Sequence, residues 1–462
     1  MSEIEVDYLV VGAGASGMAF TDALIAEDRA CDVLLVDRRH RPGGHWLDAY
    51  PFVRLHQPSA TYGVASTSLG EDRIDARGPN AGFYERATAA SIVGYYDDVL
   101  EQVLLPSDRV RFLGMVDHVG GEDGVHRLRS TLTGEEHTVR VRRRLVDATY
   151  TESSIPSRRR PEFTIDDDTE VVPPNDLVDR ALAASEYTVV GGGKTGMDTC
   201  AWLLDMGVDP GRIRWVRSRD GWYFNRRFTQ PRDLVGSFMQ LQARWIAAAA
   251  AAEDAWDFAH RLEASEVFLR IDPDVEPDAF RGATVSEAEV EALRSIEDVI
   301  RLGRLRHVAS GRLTFDEGEV ATASDNLTID CTAAGVRPTT ERPVFEPGRI
   351  TLQYVTLGFV PWGASTIGAV EALKDDDEVR NALCPPVVFS GYVADILRFA
   401  DAGMRGIAAR TSDPQIGAWT EACRLNPAKG AASRFDDPDV ADAFAAIGAN
   451  LFPALTNLQR LV

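Results

Sequence analysis

The chain has 462 residues, 45% hydrophobic and 26% charged, with 38 Gly, 23 Pro and 5 Cys. That length and composition make two or three globular domains and exclude a disordered, collagen-like or disulfide-scaffold protein. Its 71 acidic side chains against 49 basic ones give a formal charge of −22, which repels phosphate backbones and anionic lipid, so neither nucleic acid nor a membrane is expected as a partner.

The N-terminus is acidic and runs straight into a strand, without the basic stretch, apolar core and small-residue cleavage site of a signal peptide, and no apolar run approaches the length of a span, about 18 residues. The five cysteines (Cys31, Cys200, Cys331, Cys384, Cys423) are scattered and never form C-x-x-C. Neither a disulfide framework nor a zinc knuckle is suggested, and a cytoplasmic location is expected. Only Lys194, Lys374 and Lys429 are lysines; the other 46 basic residues are arginines.

Asp7 to Val11 reads as a buried strand, followed by Gly12-Ala-Gly14-Ala15-Ser16-Gly17 and a helical pattern from Met18 to Ala26. A second apolar strand, Val33 to Val36, ends in Asp37, 20 residues after Gly17, with Arg38 beside it. This is the dinucleotide-binding pattern. Gly12 permits a tight turn, Gly14 lets the backbone approach a pyrophosphate, Gly17 lets helix and strand pack, and the acid accepts ribose hydroxyls. Such an acid suits FAD or NAD better than NADP. Arg109 to Leu145 alternates as a small antiparallel meander, and residues 151–186 read as a linker with an arginine trio at Arg158 to Arg160, a solvated surface.

A second fingerprint, Gly191-Gly192-Gly193-Lys194-Thr195-Gly196, follows the strand Tyr187 to Val190 and precedes a helix beginning near Met197. A P-loop would need glycine at 188, where the chain has Thr188. The next strand, Ile213 to Val216, ends at Arg217 rather than an acid, and Arg217 with Arg219 suits a 2′-phosphate, so NADPH is expected here. Lys194 either serves the pyrophosphate or flavin edge, or is a solvated loop lysine. Trp222 to Arg226 either stacks on a cofactor or packs in a core. A mainly helical stretch swells this domain over about 222–302, with six alanines at 247–252 that mark close helix packing or a lid. Residues 401–462 read as terminal helices. His118, His126, His137, His260 and His307 lie apart without ligand spacing, and no metal site is expected.

Arg41 to Gly63 runs RPGGHWLDAYPFVRLHQPSATYG. With GG-x-W at Gly43, Gly44, His45 and Trp46, and an aromatic-Pro-x-x-Arg stretch at Tyr50, Pro51 and Arg54, the chain resembles the class B flavoprotein monooxygenases, the flavin-containing and Baeyer–Villiger enzymes. The resemblance, over about residues 1–400, implies an α/β protein of two dinucleotide-binding, Rossmann-like domains, with the NADPH domain inserted into the FAD domain. It assigns 1–150 and 323–400 to FAD and 187–322 to NADPH, because Leu145 to Thr149 and Leu327 to Gly335 look like the strands at which such chains leave and return. It implies hydride transfer from NADPH to flavin, then insertion of one oxygen atom from O₂ into a small organic substrate through a flavin C4a-hydroperoxide. Arg54, His56 and Gln57 then lie beside the flavin ring, as candidate catalytic residues, or form a structural turn before Pro58.

Two features depart from that family. The linker motif F-x-G-x-x-x-H is absent, and His56 stands where Baeyer–Villiger enzymes carry an aspartate. An unperturbed imidazole titrates near about 6.5, so His56 is expected to offer a proton near neutral pH, and NADPH oxidation without substrate is expected. A flavin oxidase or reductase releasing H₂O₂ or reducing an acceptor, and a non-enzymatic flavin-binding redox module, stay open, as does a homo-oligomer.

Overall fold

A computed structural model describes residues 3–180, 183–333, 335, 337, 339–356 and 358–462. The first sheet is built on β1 (Glu3–Val11), which is buried continuously from Val6 to Val10, as a parallel strand covered on both faces must be. The glycine loop and helix α1 (Ala15–Glu27) follow, then β2 (Val33–Val36), β3 (Val110–Leu113), β4 (Val116–Glu122), β5 (Val125–Ser130) and β6 (Glu136–Asp147). β3, β2, β1 and β6 lie side by side in parallel, and the strand Arg349–Thr351 adds to β6, also parallel. β4, β5 and β6 form the expected antiparallel meander. The helix Val360–Leu373 packs on α1 so closely that a Cβ on Gly368 would stand 2.6 Å from the Phe20 carbonyl oxygen.

The second sheet is wholly parallel, in the order Val299–Ile300, Ile213–Val216, Tyr187–Val190, Leu327–Asp330, Val171–Val172. This corrects the expected boundary at 323. Leu327–Asp330 belongs to the second unit, where it pairs with Tyr187–Val190, and the chain rejoins the first sheet only at Arg349–Thr351. Ala334, within the stretch read as the return strand, lies outside the described residues.

The insertion is less helical than expected. Its helices are Val235–Ala251 and Ala255–Ala264, with the shorter Glu287–Arg294, but Gly221–Asn225, Phe268–Leu269 and Ala279–Val285 form a three-stranded sheet of their own. The alanine run packs: Ala248, Ala249 and Ala252 are buried in a cluster that also holds Ala454 and Leu458 of the helix Pro438–Leu461. The terminal helices are Ile396–Ser412, Pro414–Ala422 and Pro438–Leu461.

Register positions the site. Val11 is paired with Val36 on one side and Asp147 on the other, so the glycine loop, Asp37 and Ala148–Thr149 emerge at one sheet edge. Val190 is likewise paired with Val216 and Asp330, which brings the second loop, Ser218–Arg219 and Cys331 to one edge.

Candidate functional site

Both edges open on one cavity of about 1450 Å³. At the first, Gly12 has φ +106°, which L side chains rarely adopt, and a Cβ on Gly17 would stand 1.9 Å from the Gly12 carbonyl oxygen. Gly14 caps α1 without a side-chain hydrogen bond, so first-turn amides remain for an anion where Gly14, Ala15 and Ser16 line the cavity. Asp37 also lines it, its carboxylate held by N–H groups of Ala13 (2.7 Å) and Arg39 (2.8 Å). Gly44, at φ +57°, lies against Gly14; a Cβ there would stand 2.9 Å from the Gly14 Cα. His45 and Trp46 line the wall beyond, and Trp46 Nε1 donates to the Tyr62 hydroxyl (2.7 Å). Arg38 is corrected: it lies 3.6 Å from Glu152 and lines a separate small cavity, while Arg39 faces the large one.

The second loop repeats the construction. Gly191 has φ +133°, a Cβ on Gly196 would stand 2.0 Å from the Gly191 carbonyl oxygen, and Gly193 caps the helix Lys194–Asp205 without a side-chain hydrogen bond. Gly17 and Gly196 thus serve packing, while Gly191, Gly193, Lys194 and Thr195 line the cavity. Lys194 is no solvated loop lysine: its side chain is 9% exposed and pairs with Asp198, which also accepts from the Tyr50 hydroxyl (2.8 Å).

Arg217 is a second correction. It is 2% exposed, stacked on Trp215 at 4.7 Å and paired with Asp220 at 3.2 Å, away from the cavity. The cations that face the second loop are Arg219 and Arg281. A Cβ on Gly193 would stand 3.7 Å from Arg281 Nη1, and burial together with the charge of Arg219 lowers the pKa of Arg281. Arg219 lies over the Tyr392 ring at 4.5 Å. Trp222 to Arg226 is core: Trp222 and Arg226 are buried, and Phe224 alone of the five reaches the cavity.

Arg54 is a third correction. It is exposed, donates to the Arg86 carbonyl (3.1 Å), and forms no part of the cavity wall. His56 and Gln57 do line it. Gln57 Nε2 donates to the Thr61 carbonyl (3.0 Å), locking the turn. Beneath His56 lies a buried ionic group. Glu289 accepts from Arg226 Nη2 (2.7 Å) and Arg86 Nη2 (3.3 Å), Arg226 Nε approaches the His56 carbonyl (3.5 Å), and Arg86 Nη1 approaches that of Leu55 (3.3 Å).

The expected proton donor at His56 is overturned. Burial first, then the charge of Lys194, pull its pKa down to about 3; burial and Arg39 pull His45 down to about 4. Both rings are neutral at physiological pH. Each is more basic in the unfolded chain, so their contribution to stability is full above about pH 6.5 and is lost as pH falls, by at most about 1.4 kcal/mol per pH unit per ring. Urea midpoints at about pH 8 and about pH 5 should differ less in the double variant His45→Gln, His56→Gln than in wild type; equal differences would contradict these shifts.

His118 and His126 do not lie apart: the β4–β5 hairpin brings Nε2 of one to 3.1 Å from Nδ1 of the other. Asp198 and Arg281 were missed. The i, i+4 spacing of Lys194 and Asp198 was a legible signal; nothing near Arg281 announced it.

Residues 10–66 match the NAD(P)-binding Rossmann-like domain family. Among solved structures, a cyclohexanone monooxygenase mutant from Rhodococcus sp. Phi1 bound to NADP+ is similar over 80% of this chain and 85% of its own, with TM-score 0.50 and 15% identity. A flavin monooxygenase from Stenotrophomonas maltophilia aligns over 80% and 98%, with TM-score 0.49 and 13% identity. The fold is thus shared with that cyclohexanone monooxygenase, with two dinucleotide-type loops on one cavity. Uncharacterized proteins of Mycobacterium tuberculosis and Mycobacterium bovis are 42% identical over 424 residues, 92% of this chain and 78% of theirs. The chain belongs to the family of these mycobacterial proteins.

Proposed function

We propose that the protein is an FAD-dependent, NADPH-consuming oxidoreductase, a monooxygenase of a small organic substrate. The observation that carries this is the pair of glycine loops, each ending in a helix N-terminus without a side-chain cap, that open on one cavity. The first loop, Asp37 and the Gly44–Trp46 turn fit FAD; the second loop fits the pyrophosphate of NADPH, with Arg219 and Arg281 for its 2′-phosphate. Bound flavin supplies hydride acceptance and oxygen activation. The chain's part is to orient and to exclude water. Trp46, Tyr62, Tyr50, Val53 and Leu55 form the wall, while neutral His45 and His56 offer no acidic imidazolium to the site.

Arg219→Ala and Arg281→Ala should each raise KM for NADPH about tenfold to a hundredfold and spare NADH, as loss of a charged hydrogen bond implies. Arg217→Ala should affect both cofactors alike. Equal losses for NADPH and NADH in all three variants would remove the 2′-phosphate assignment.

Mass spectrometry of the released cofactor decides whether the first loop carries FAD or, as the domain family at residues 10–66 is named, NAD(P). Turnover of candidate substrates under ¹⁸O₂ tests oxygenation. Label in water or H₂O₂ only would make the protein an oxidase or reductase.

A further inference from the structure

Tyr392 lines the cavity and is 51% exposed, yet its loop is firmly held. Phe389 and Val393, before and after it, are buried, and Phe389 packs on Phe399 with ring centroids 4.4 Å apart. The loop backbone is stitched to the start of the strand Ala279–Val285: Phe280 N–H donates to the Gly391 carbonyl (3.3 Å), and Val393 N–H donates to that of Asp278 (3.0 Å). Two buried anchors therefore hold an accessible ring on the cavity wall.

The Arg219 guanidinium lies over that ring, 4.5 Å from its centroid. Arg281 reaches the same loop, since a Cβ on Gly391, which has φ +84°, would stand 3.6 Å from Arg281 Nε. Both arginines line the cavity, Arg281 exposed and Arg219 half-buried, so a ligand there can reach them. Their charges are unmatched. Nearby, Arg217 and Arg301 share Asp220 (3.2 and 2.8 Å) and Asp272 (3.9 and 2.7 Å), whereas neither Arg219 nor Arg281 is at ion-pair distance from a carboxylate among the described residues. In a chain of net charge −22, two adjacent cations left without acids make an anion site. Mutual repulsion would swing a free Arg219 side chain away from Arg281, and ordering it again on binding would cost rotamer entropy. The face of an aromatic ring offsets both effects, because it attracts the guanidinium and fixes its plane.

We propose that Tyr392 is a positioning residue for the 2′-phosphate of NADPH: its ring holds the Arg219 guanidinium beside Arg281, so that both cations are in place before the phosphate arrives. The proposal rests on the reading of the second loop as an NADPH site. It adds a determinant of cofactor choice supplied by chain that follows the return to the first sheet at Arg349–Thr351.

The test is calorimetric titration of the protein, as purified, with 2′,5′-ADP and 5′-AMP, which differ only in the 2′-phosphate and require no turnover. Wild type should bind 2′,5′-ADP about tenfold to a hundredfold more tightly than 5′-AMP. Equal binding would remove the 2′-phosphate assignment and this proposal with it. Tyr392→Leu should weaken 2′,5′-ADP about threefold to tenfold and leave 5′-AMP unchanged, while Tyr392→Phe, which keeps the ring, should match wild type. In an Arg219→Ala background, Tyr392→Leu should have no further effect, because the ring acts through that guanidinium. Three results would overturn the proposal and leave the NADPH reading standing. The first is a wild-type preference in Tyr392→Leu, or losses that multiply in the double variant. The second is equal weakening of both ligands by Tyr392→Leu, which would make the ring an adenine platform. The third is a Tyr392→Phe protein as weak as Tyr392→Leu, which would assign the effect to the hydroxyl.

Discussion

Gly14→Val should give a folded protein that purifies without flavin. Gly14 has an ordinary extended backbone, and a Cβ there would meet Gly44 Cα at 3.4 Å, a normal contact, so the substitution is tolerated by its surroundings. The valine methyls, however, would stand over the first-turn amides of α1, where a pyrophosphate has to approach the backbone. Losing a ligand held at about a hundred times its Kd removes about 2.7 kcal/mol of apparent stability, so Tm should fall while the circular dichroism spectrum keeps its wild-type shape. Gly17→Ala should behave differently. Its Cβ would collide with the Gly12 carbonyl at 1.9 Å, so the fold itself should suffer. A Gly14→Val protein with the wild-type visible flavin band would remove the first loop from cofactor binding.

Glu289→Gln should destabilise the protein by about 3–5 kcal/mol, a large part of the roughly 5–15 kcal/mol that holds a typical domain folded. Glutamine keeps the shape and an acceptor oxygen but removes the charge that faces Arg226, which is wholly buried, and Arg86. Burial alone would raise the carboxyl pKa of Glu289; Lys194, Arg226 and Arg86 outweigh it and hold the group ionised. Without that charge Arg226 and Arg86 repel each other in a poorly solvated region. Glu289 also closes a capping box with Ser286, at the start of the helix Glu287–Arg294. Because the two guanidinia also reach the Leu55 and His56 carbonyls, the cavity wall should loosen with the fold. Urea unfolding of the purified variant measures the effect, and a loss below about 1 kcal/mol would show that the ionic group is not what anchors this wall.

The glycine loops were legible because their constraints are backbone constraints. A positive φ at Gly12 or Gly191 and a Cβ collision at Gly17 or Gly196 select glycine at fixed spacing, whatever surrounds them. Asp37 was legible for the same reason, as the first residue past a four-residue apolar strand. Arg217 was misplaced, although the strand period gave a warning: two residues after Trp215 it continues that residue's face and packs on it, and the cavity takes Ser218 and Arg219. Arg281, which faces the second loop beside Arg219, sits on a strand that arrives 62 residues later, and no local pattern encodes that meeting. The same holds for Leu327–Asp330, whose apolar character predicts a buried strand but not which sheet it completes. In the 222–302 stretch, short strands between long helices lacked enough residues to show their alternation.

The interleaved sheets have a consequence for biosynthesis. β6 receives its outer neighbour, Arg349–Thr351, only after about 200 further residues have been made, so one margin of the first sheet is unpaired while the whole second unit emerges. At about 5–20 residues per second that is roughly 10–40 s of exposure, long enough for a flat apolar strand to recruit another nascent chain. β6 carries Arg142, Arg143 and Arg144 next to this margin. In the finished protein they are matched by acids, Arg142 with Asp7 and Glu5, Arg143 with Asp28, and Arg144 with Glu371 and Asp377. The acids for Arg142 and Arg143 are already synthesised when β6 appears, whereas Glu371 and Asp377 come last. Until then Arg144 is a bare charge on the waiting strand, a guard against edge-to-edge association that the late-arriving acids convert into a clasp.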